Sequence, residues 1–171
     1  MSMNAEDLKR VTLEEFEAME KDERLNYELI DGIVLMSPSP SWEHQKIAHK
    51  IHGHLFNALK EVDCDTLGEY DLRFKQNVYK PDIMVFCHSN NDIPEIIFEI
   101  LSPSTRRYDL VVKLNKYEEI GVKEYWIIDS KVKTITVHDF VNQVSETYGI
   151  GEIVQSSVHV EIVIAVSDIF A

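Results

Sequence analysis

The run Ile96-Ile97-Phe98-Glu99-Ile100-Leu101 confines the chain to few folds. Successive residues of a strand point to opposite faces, and here both faces are apolar. Such a strand belongs inside a sheet covered on both sides, the arrangement α/β proteins build with helices. Glu99 is the exception. An uncompensated carboxylate buried at that point costs several kcal/mol, so it must face a cation, a hydrogen-bond donor or a metal ion.

The flanking segments supply the rest of such a sheet. Thr12 and Glu15 in "VTLEEFEAMEKD" form a capping box that predicts a short acidic helix. Asp31-Gly32 joins two apolar runs into a hairpin over residues 27–36. "SWEHQKIAHKIHGHLFNALKEV" puts Ile47, Ala48, Ile51, Leu55, Leu59 and Val62 on one helical face. His44 shares that face; His49, His52 and His54 do not and form no zinc set. "TLGEYDLRF", "KPDIMVFC" and "PEIIFEILS" read as three strands. A second helix follows, striped by Leu110, Leu114 and Tyr117 and closed by Gly121. "KEYWIIDS" and "KTITVHDF" are further strands, and the chain from Val144 is β-rich. The expectation is one domain over residues 1–171 with a core at about 42–130. Its class is α/β (α+β): a mixed sheet flanked by helices, extended by the N-terminal hairpin and the C-terminal strands.

Charge limits the partners. The 171 residues carry a net −13, which argues against indiscriminate affinity for phosphates. The charge is uneven: residues 1–31 hold ten acids and four bases, whereas residues 103–133 hold seven bases and five acids. No apolar stretch approaches the ~18 residues of a membrane span, and the polar start lacks a signal-peptide core. Cys64 and Cys87 have no CxxC spacing and read as reduced buried thiols. A cytoplasmic protein without a membrane partner is expected.

Asp82 follows Pro81 at the start of one strand, and Glu99 lies within the next. If those strands are neighbours, both carboxylates reach one point, where a divalent cation relieves their repulsion. Oxygen ligands of this kind suit Mg²⁺ or Mn²⁺. The competing reading is structural, with Glu99 paired to an arginine or bonded to backbone amides.

"KPDIMVFC…PEIIFEILSPSTRRYDLVVKLNKYEEIGVKEYWIID", with "NYELIDGIVLMSPSPSWEHQKIAHKI" upstream, resembles the Uma-two (Uma2) family over roughly residues 10–140. These are restriction-endonuclease-like domains of the PD-(D/E)XK nuclease superfamily. The resemblance implies metal-dependent hydrolysis of nucleic-acid phosphodiester bonds, with DNA as the expected substrate. Pro81-Asp82 matches the PD and Glu99 the second acid, making Asp82 and Glu99 the implied ligands of Mg²⁺ or Mn²⁺. The motif lysine would fall at 101, where this chain has Leu101. Some superfamily members carry it on the following helix, which points to Lys113 as the third catalytic residue. Asp109, four residues earlier, can hold Lys113 in an ordinary helical ion pair on a solvated face. His44 is a substrate or supporting contact, or a hydrogen-bonded core histidine. Gln45 and Glu28 fall in matching family motifs beside the site. Arg106 and Arg107 touch phosphate or lie exposed, and Ser104 or Thr105 caps the helix.

Two rivals remain at this level. Leu101 suits a nuclease-fold module that has lost catalysis and binds DNA or protein, and the charge suits an acidic partner-binding protein. A homodimer is among the expected assemblies.

Overall fold

The computed structural model describes residues 10–88, 93–102 and 107–171, the last stretch with side chains from residue 110. In chain order the first elements are α1 (Leu13–Ala18), β1 (Leu25–Ile30), β2 (Ile33–Pro38), α2 (Trp42–Leu59), β3 (Cys64–Gly68), β4 (Leu72–Phe74) and β5 (Asn77–Tyr79). There follow β6 (Ile83–Cys87), β7 (Ile96–Ile100), α3 (Arg107–Ile120), β8 (Glu124–Asp129), β9 (Thr134–Asp139), β10 (Val144–Tyr148), β11 (Ile153–Gln155), β12 (Val163–Ala165) and α4 (Val166–Phe170). They fall into two compact units, residues 1–39 with 70–80 and residues 40–69 with 81–171. No helix among the described residues is long and apolar enough to cross a membrane.

The first unit holds a four-stranded antiparallel sheet in the order β2-β1-β5-β4. Asp31 (φ 51°) and Gly32 (φ 80°) give β1–β2 the two left-handed residues of a primed hairpin turn. Thr12 and Glu15 cap α1 reciprocally, and Phe16 packs with Leu29 and Val78 in a small core. The hairpin therefore does not extend the main sheet, as the sequence suggested. "TLGEYDLRF" is also two strands in two sheets. Glu69 adopts a left-handed φ of 53° between β3 and β4, which no strand can continue through.

The second unit holds the six-stranded sheet, in the order β10-β9-β8-β7-β6-β3. Only β7 and β8 run parallel, and α3 is the crossover between them. β7 lies inside the sheet, and all five of its residues are buried. Ile96, Phe98 and Ile100 face a core shared with Ile47, Ile51 and Leu55 of α2. Ile97 and Glu99 alternate to the opposite face, where Tyr117 of α3 meets Glu99 and the ring of Tyr125. Each face of the sheet thus has its helix. Gly121 (φ 100°) ends α3, with Val122 N–H returning to the Tyr117 carbonyl.

The cysteines correct the sequence reading. Cys64 stands directly opposite Cys87 across β3 and β6 with 4.0 Å between Cα atoms, and the two are joined as a disulfide. The bond from His88 N–H to the Asp63 carbonyl marks the next pair as hydrogen-bonded, so Cys64–Cys87 occupies the closer, non-hydrogen-bonded position. Their separation of 23 residues concealed this register. The cysteines consequently give no support to a reducing compartment.

Candidate active site

β6 and β7 bring the two acids together. Their register sets Ile83 opposite Phe98, and one further step places Asp82 opposite Glu99, on the same side of the sheet. Asp82 immediately precedes β6, after Pro81, which has no N–H to leave unpaired. Its Oδ2 accepts the Ile100 N–H at 2.6 Å and lies 3.1 Å from His44 Nε2. With both bonds on Oδ2, Oδ1 is the oxygen left for another partner. On the other flank of β6, a Cβ on Gly68 would come within 3.2 Å of the Asp82 carbonyl and 3.0 Å of His52 Nε2. Glycine there allows the close approach.

Glu99 faces α3. Its Oε1 accepts from Lys113 Nζ at 2.9 Å and from the Tyr117 hydroxyl at 2.7 Å. Lys113 and Tyr117 are one helical turn apart and share a face of α3. The Lys113 and Glu99 side chains are each only 11% exposed. Of the two readings of Lys113, the solvated helix face does not hold: α3 aims the side chain inward at Glu99.

His44 enters from α2. Ser41 caps that helix, its hydroxyl accepting the His44 N–H at 3.2 Å, and the ring reaches Asp82 from the first turn. Burial pulls the His44 pKa down, but the bond to Asp82 and the charges of Asp82, Glu99 and Glu69 outweigh it and leave the pKa raised. His44 Nδ1 is buried and meets no hydrogen-bond partner among the described residues. Gln45 Nε2 donates to Glu69 Oε1 at 2.9 Å on the exposed side of α2.

The other sequence candidates divide clearly. Glu28 belongs to the first unit, where its Oε1 accepts the Lys80 N–H at 2.8 Å. Arg106, Ser104 and Thr105 lie outside the described residues, as do the side chains of Arg107 and Asp109. Three participants escaped the sequence reading: Tyr117, Glu69 and the Ile100 amide. Tyr117 falls in the apolar stripe of α3, and its spacing of four from Lys113 is the signal that marks it. The bond from a backbone amide leaves no trace in the sequence.

Comparison with known proteins places the chain in a family. The sequence profile of the Uma2 family, described as "Putative restriction endonuclease", matches residues 13–167. The chain belongs to the Uma2 family. An "Uncharacterized protein slr1290" of Synechocystis sp. is 29% identical over 133 residues, 71% of this chain and 70% of that protein. The crystal structure of a "putative nuclease belonging to DUF820" from Anabaena variabilis superposes with a TM-score of 0.81 at 22% identity. It covers 94% of this chain and 97% of its own. At that identity the likeness establishes the fold, a mixed α+β nuclease fold.

The donor set of this Uma2 protein fits a hard divalent cation. The register puts two carboxylates opposite each other on adjacent strands, one oxygen of Asp82 has no partner among the described residues, and the Asp82 side chain is 18% exposed. Oxygen donors with open positions suit Mg²⁺ or Mn²⁺. The side chains that contact Asp82 and Glu99 among the described residues include one histidine, His44, and no sulfur ligand.

Proposed function

We propose that the chain is a divalent-metal-dependent nuclease that hydrolyses phosphodiester bonds of DNA, with Asp82 and Glu99 as ligands of Mg²⁺ or Mn²⁺. The observation that carries the reading is the meeting of Asp82, Glu99, Lys113 and His44 at one end of β6 and β7. A bound divalent ion acidifies water and offsets charge on the phosphate. The remaining work falls to the chain itself. The Ile100 amide and His44 hold the Asp82 carboxylate in one orientation. Tyr117 and Lys113 do the same for Glu99. The Lys113 ammonium, 2.9 Å from Glu99, would steady an attacking water or the charge that develops on a phosphate. In this role it replaces the lysine that Leu101 cannot supply. Affinity for nucleic acid rests on local bases against a net charge of −13, so binding without metal is weak and falls steeply with salt.

The test is cleavage of supercoiled plasmid DNA with Mg²⁺ or Mn²⁺, run beside Asp82→Asn and Lys113→Met. The reading expects metal-dependent nicking by the wild type and none by either variant. Cleavage that survives Asp82→Asn removes the site. A wild type inert toward DNA with every metal overturns the enzymatic reading in favour of a binding module.

A further inference from the structure

A second cluster of metal-binding side chains sits at the opposite end of β6 from Asp82. Cys64 and Cys87 face each other there. The Nε2 of His159 lies 3.1 Å from Cys87 Sγ and 2.7 Å from Glu95 Oε2. The ligand atoms of Cys64, Cys87 and His159 all fall within 4.8 Å of one another. We propose that Cys64, Cys87, His159 and Glu95 form a zinc site when the two cysteines are reduced.

The residue types suit that ion. Two thiolates, an imidazole nitrogen and a carboxylate oxygen make a four-donor set for Zn²⁺, whereas Mg²⁺ avoids sulfur. The present N···S and N···O distances are those of hydrogen bonds; admitting an ion requires the two sulfurs, once reduced, to swing apart to ligand spacing and Glu95, which touches only His159 of the three, to turn its Oε2 inward.

Each donor is already positioned. Cys64 and Cys87 are fixed by the pairing of β3 with β6. The turn between β11 and β12 presents His159, with the Ser156 hydroxyl accepting the N–H groups of Val158 and His159 at 3.1 and 2.9 Å. Glu95 precedes β7, anchored by its N–H to the Val85 carbonyl and by Lys123 Nζ to its Oε1 at 2.5 Å. Cys87 is fully buried, and the side chains of Glu95 and His159 are 8% and 12% exposed. The charge also closes: two thiolates and one carboxylate are matched by a divalent ion and the Lys123 ammonium. A buried set left unbalanced would be costly.

The disulfide and the zinc site exclude each other. A dithiol reduces the S–S bond to two thiols by giving up two electrons and two protons and closing its own disulfide; a phosphine gives the two electrons and becomes its oxide with the oxygen of a water molecule, whose two protons go to the thiols. Those thiols release two protons as they bind the ion. Oxidation of the thiolates back to the disulfide returns two electrons to an oxidant and expels the metal.

The experiment is a Co²⁺ titration of the full-length protein, reduced with a phosphine and compared with the air-oxidised protein. Sulfur-to-cobalt charge-transfer absorption reports only thiolate ligation, so an ion at Asp82 and Glu99 is silent in it. Reduced wild type should develop the band, lose it when Zn²⁺ displaces the cobalt, and retain a single zinc ion per chain by native mass spectrometry. The oxidised protein should show no band, and peroxide added to the zinc form should release the metal. Cys64→Ser and His159→Asn should abolish or weaken the band, whereas Asp82→Asn should keep it. Absence of the band in reduced wild type overturns the proposal, as does an undiminished band in Cys64→Ser. Because the two redox forms share one sequence, the comparison does not depend on any variant folding.

Discussion

Replacing Lys113 by methionine keeps the length of the side chain and removes its charge. In the metal-free protein the ammonium stands 2.9 Å from Glu99 Oε1, with both side chains 11% exposed. Breaking a buried ion pair by removing one partner costs roughly 3–5 kcal/mol, because the other charge is left uncompensated. The bond from Tyr117 survives, and neither side chain is wholly dry, so the lower end applies, about 3 kcal/mol. For a chain of this size each kcal/mol moves the midpoint by roughly 2–4 °C, giving a fall of about 6–12 °C. A solvated lysine would instead contribute within about 0.5 kcal/mol. Thermal melts followed by circular dichroism in a chelator measure the difference. Lys113→Met should also gain more from saturating Mg²⁺ or Mn²⁺ than the wild type does, since the ion takes over the charge Lys113 no longer offsets. Adding Glu99→Gln to Lys113→Met should raise the metal-free midpoint by removing a buried carboxylate that has lost its lysine. A Lys113→Met protein melting within about one degree of the wild type in chelator would refute the ion pair and this energetic reasoning.

Further expectations concern neighbouring residues. Tyr117→Phe deletes a hydrogen bond to a carboxylate and should cost about 1.5–3 kcal/mol in urea unfolding, while slowing plasmid cleavage without abolishing it; unchanged stability would show that the hydroxyl does not reach Glu99. Gly68→Ala forces a Cβ to within 3.2 Å of the Asp82 carbonyl and should destabilise by about 1–3 kcal/mol, with cleavage reduced because Asp82 shifts; wild-type behaviour in both assays contradicts the close approach. Burial works to raise the Asp139 pKa, but bonds from Ser157, Asn142 and Val141 outweigh it and hold it below its ordinary 3.8. Its contribution to stability is thus present above that value and lost as pH falls through the lower folded one. The stability advantage of wild type over Asp139→Asn in denaturant melts should therefore shrink on acidification, and an advantage that grows would reverse the sign.

The sequence was informative where the physics is local or periodic. The capping box at Thr12, the Asp31-Gly32 turn, the apolar face of α2 and the doubly buried β7 all stand as read. Asp82 and Glu99 could be brought together because consecutive strands usually pair. What stayed hidden depends on pairing at a distance. Nothing near Cys64 announces Cys87, since β3 and β6 are separated by the chain's excursion through β4 and β5. Those short strands were missed because Glu69 and Lys75 take left-handed φ values of 53° and 54° that their residue types do not advertise. Family resemblance points to Lys113, but not to its contact with Glu99. A helix wheel carries no information on Glu99, which reaches Lys113 from the sheet across the layer.

The central claim is that Asp82 and Glu99 share a divalent ion. The most direct measurement is a crystal structure of the protein soaked in Mn²⁺, with the anomalous signal of manganese recorded. The account predicts a single strong peak between the two side chains, within coordination distance of an oxygen from each, and Lys113 drawn off Glu99 Oε1 or sharing that carboxylate with the metal. An empty site at saturating Mn²⁺, with Lys113 still seated on Glu99, would contradict it and make the buried acid of β7 a structural ion pair.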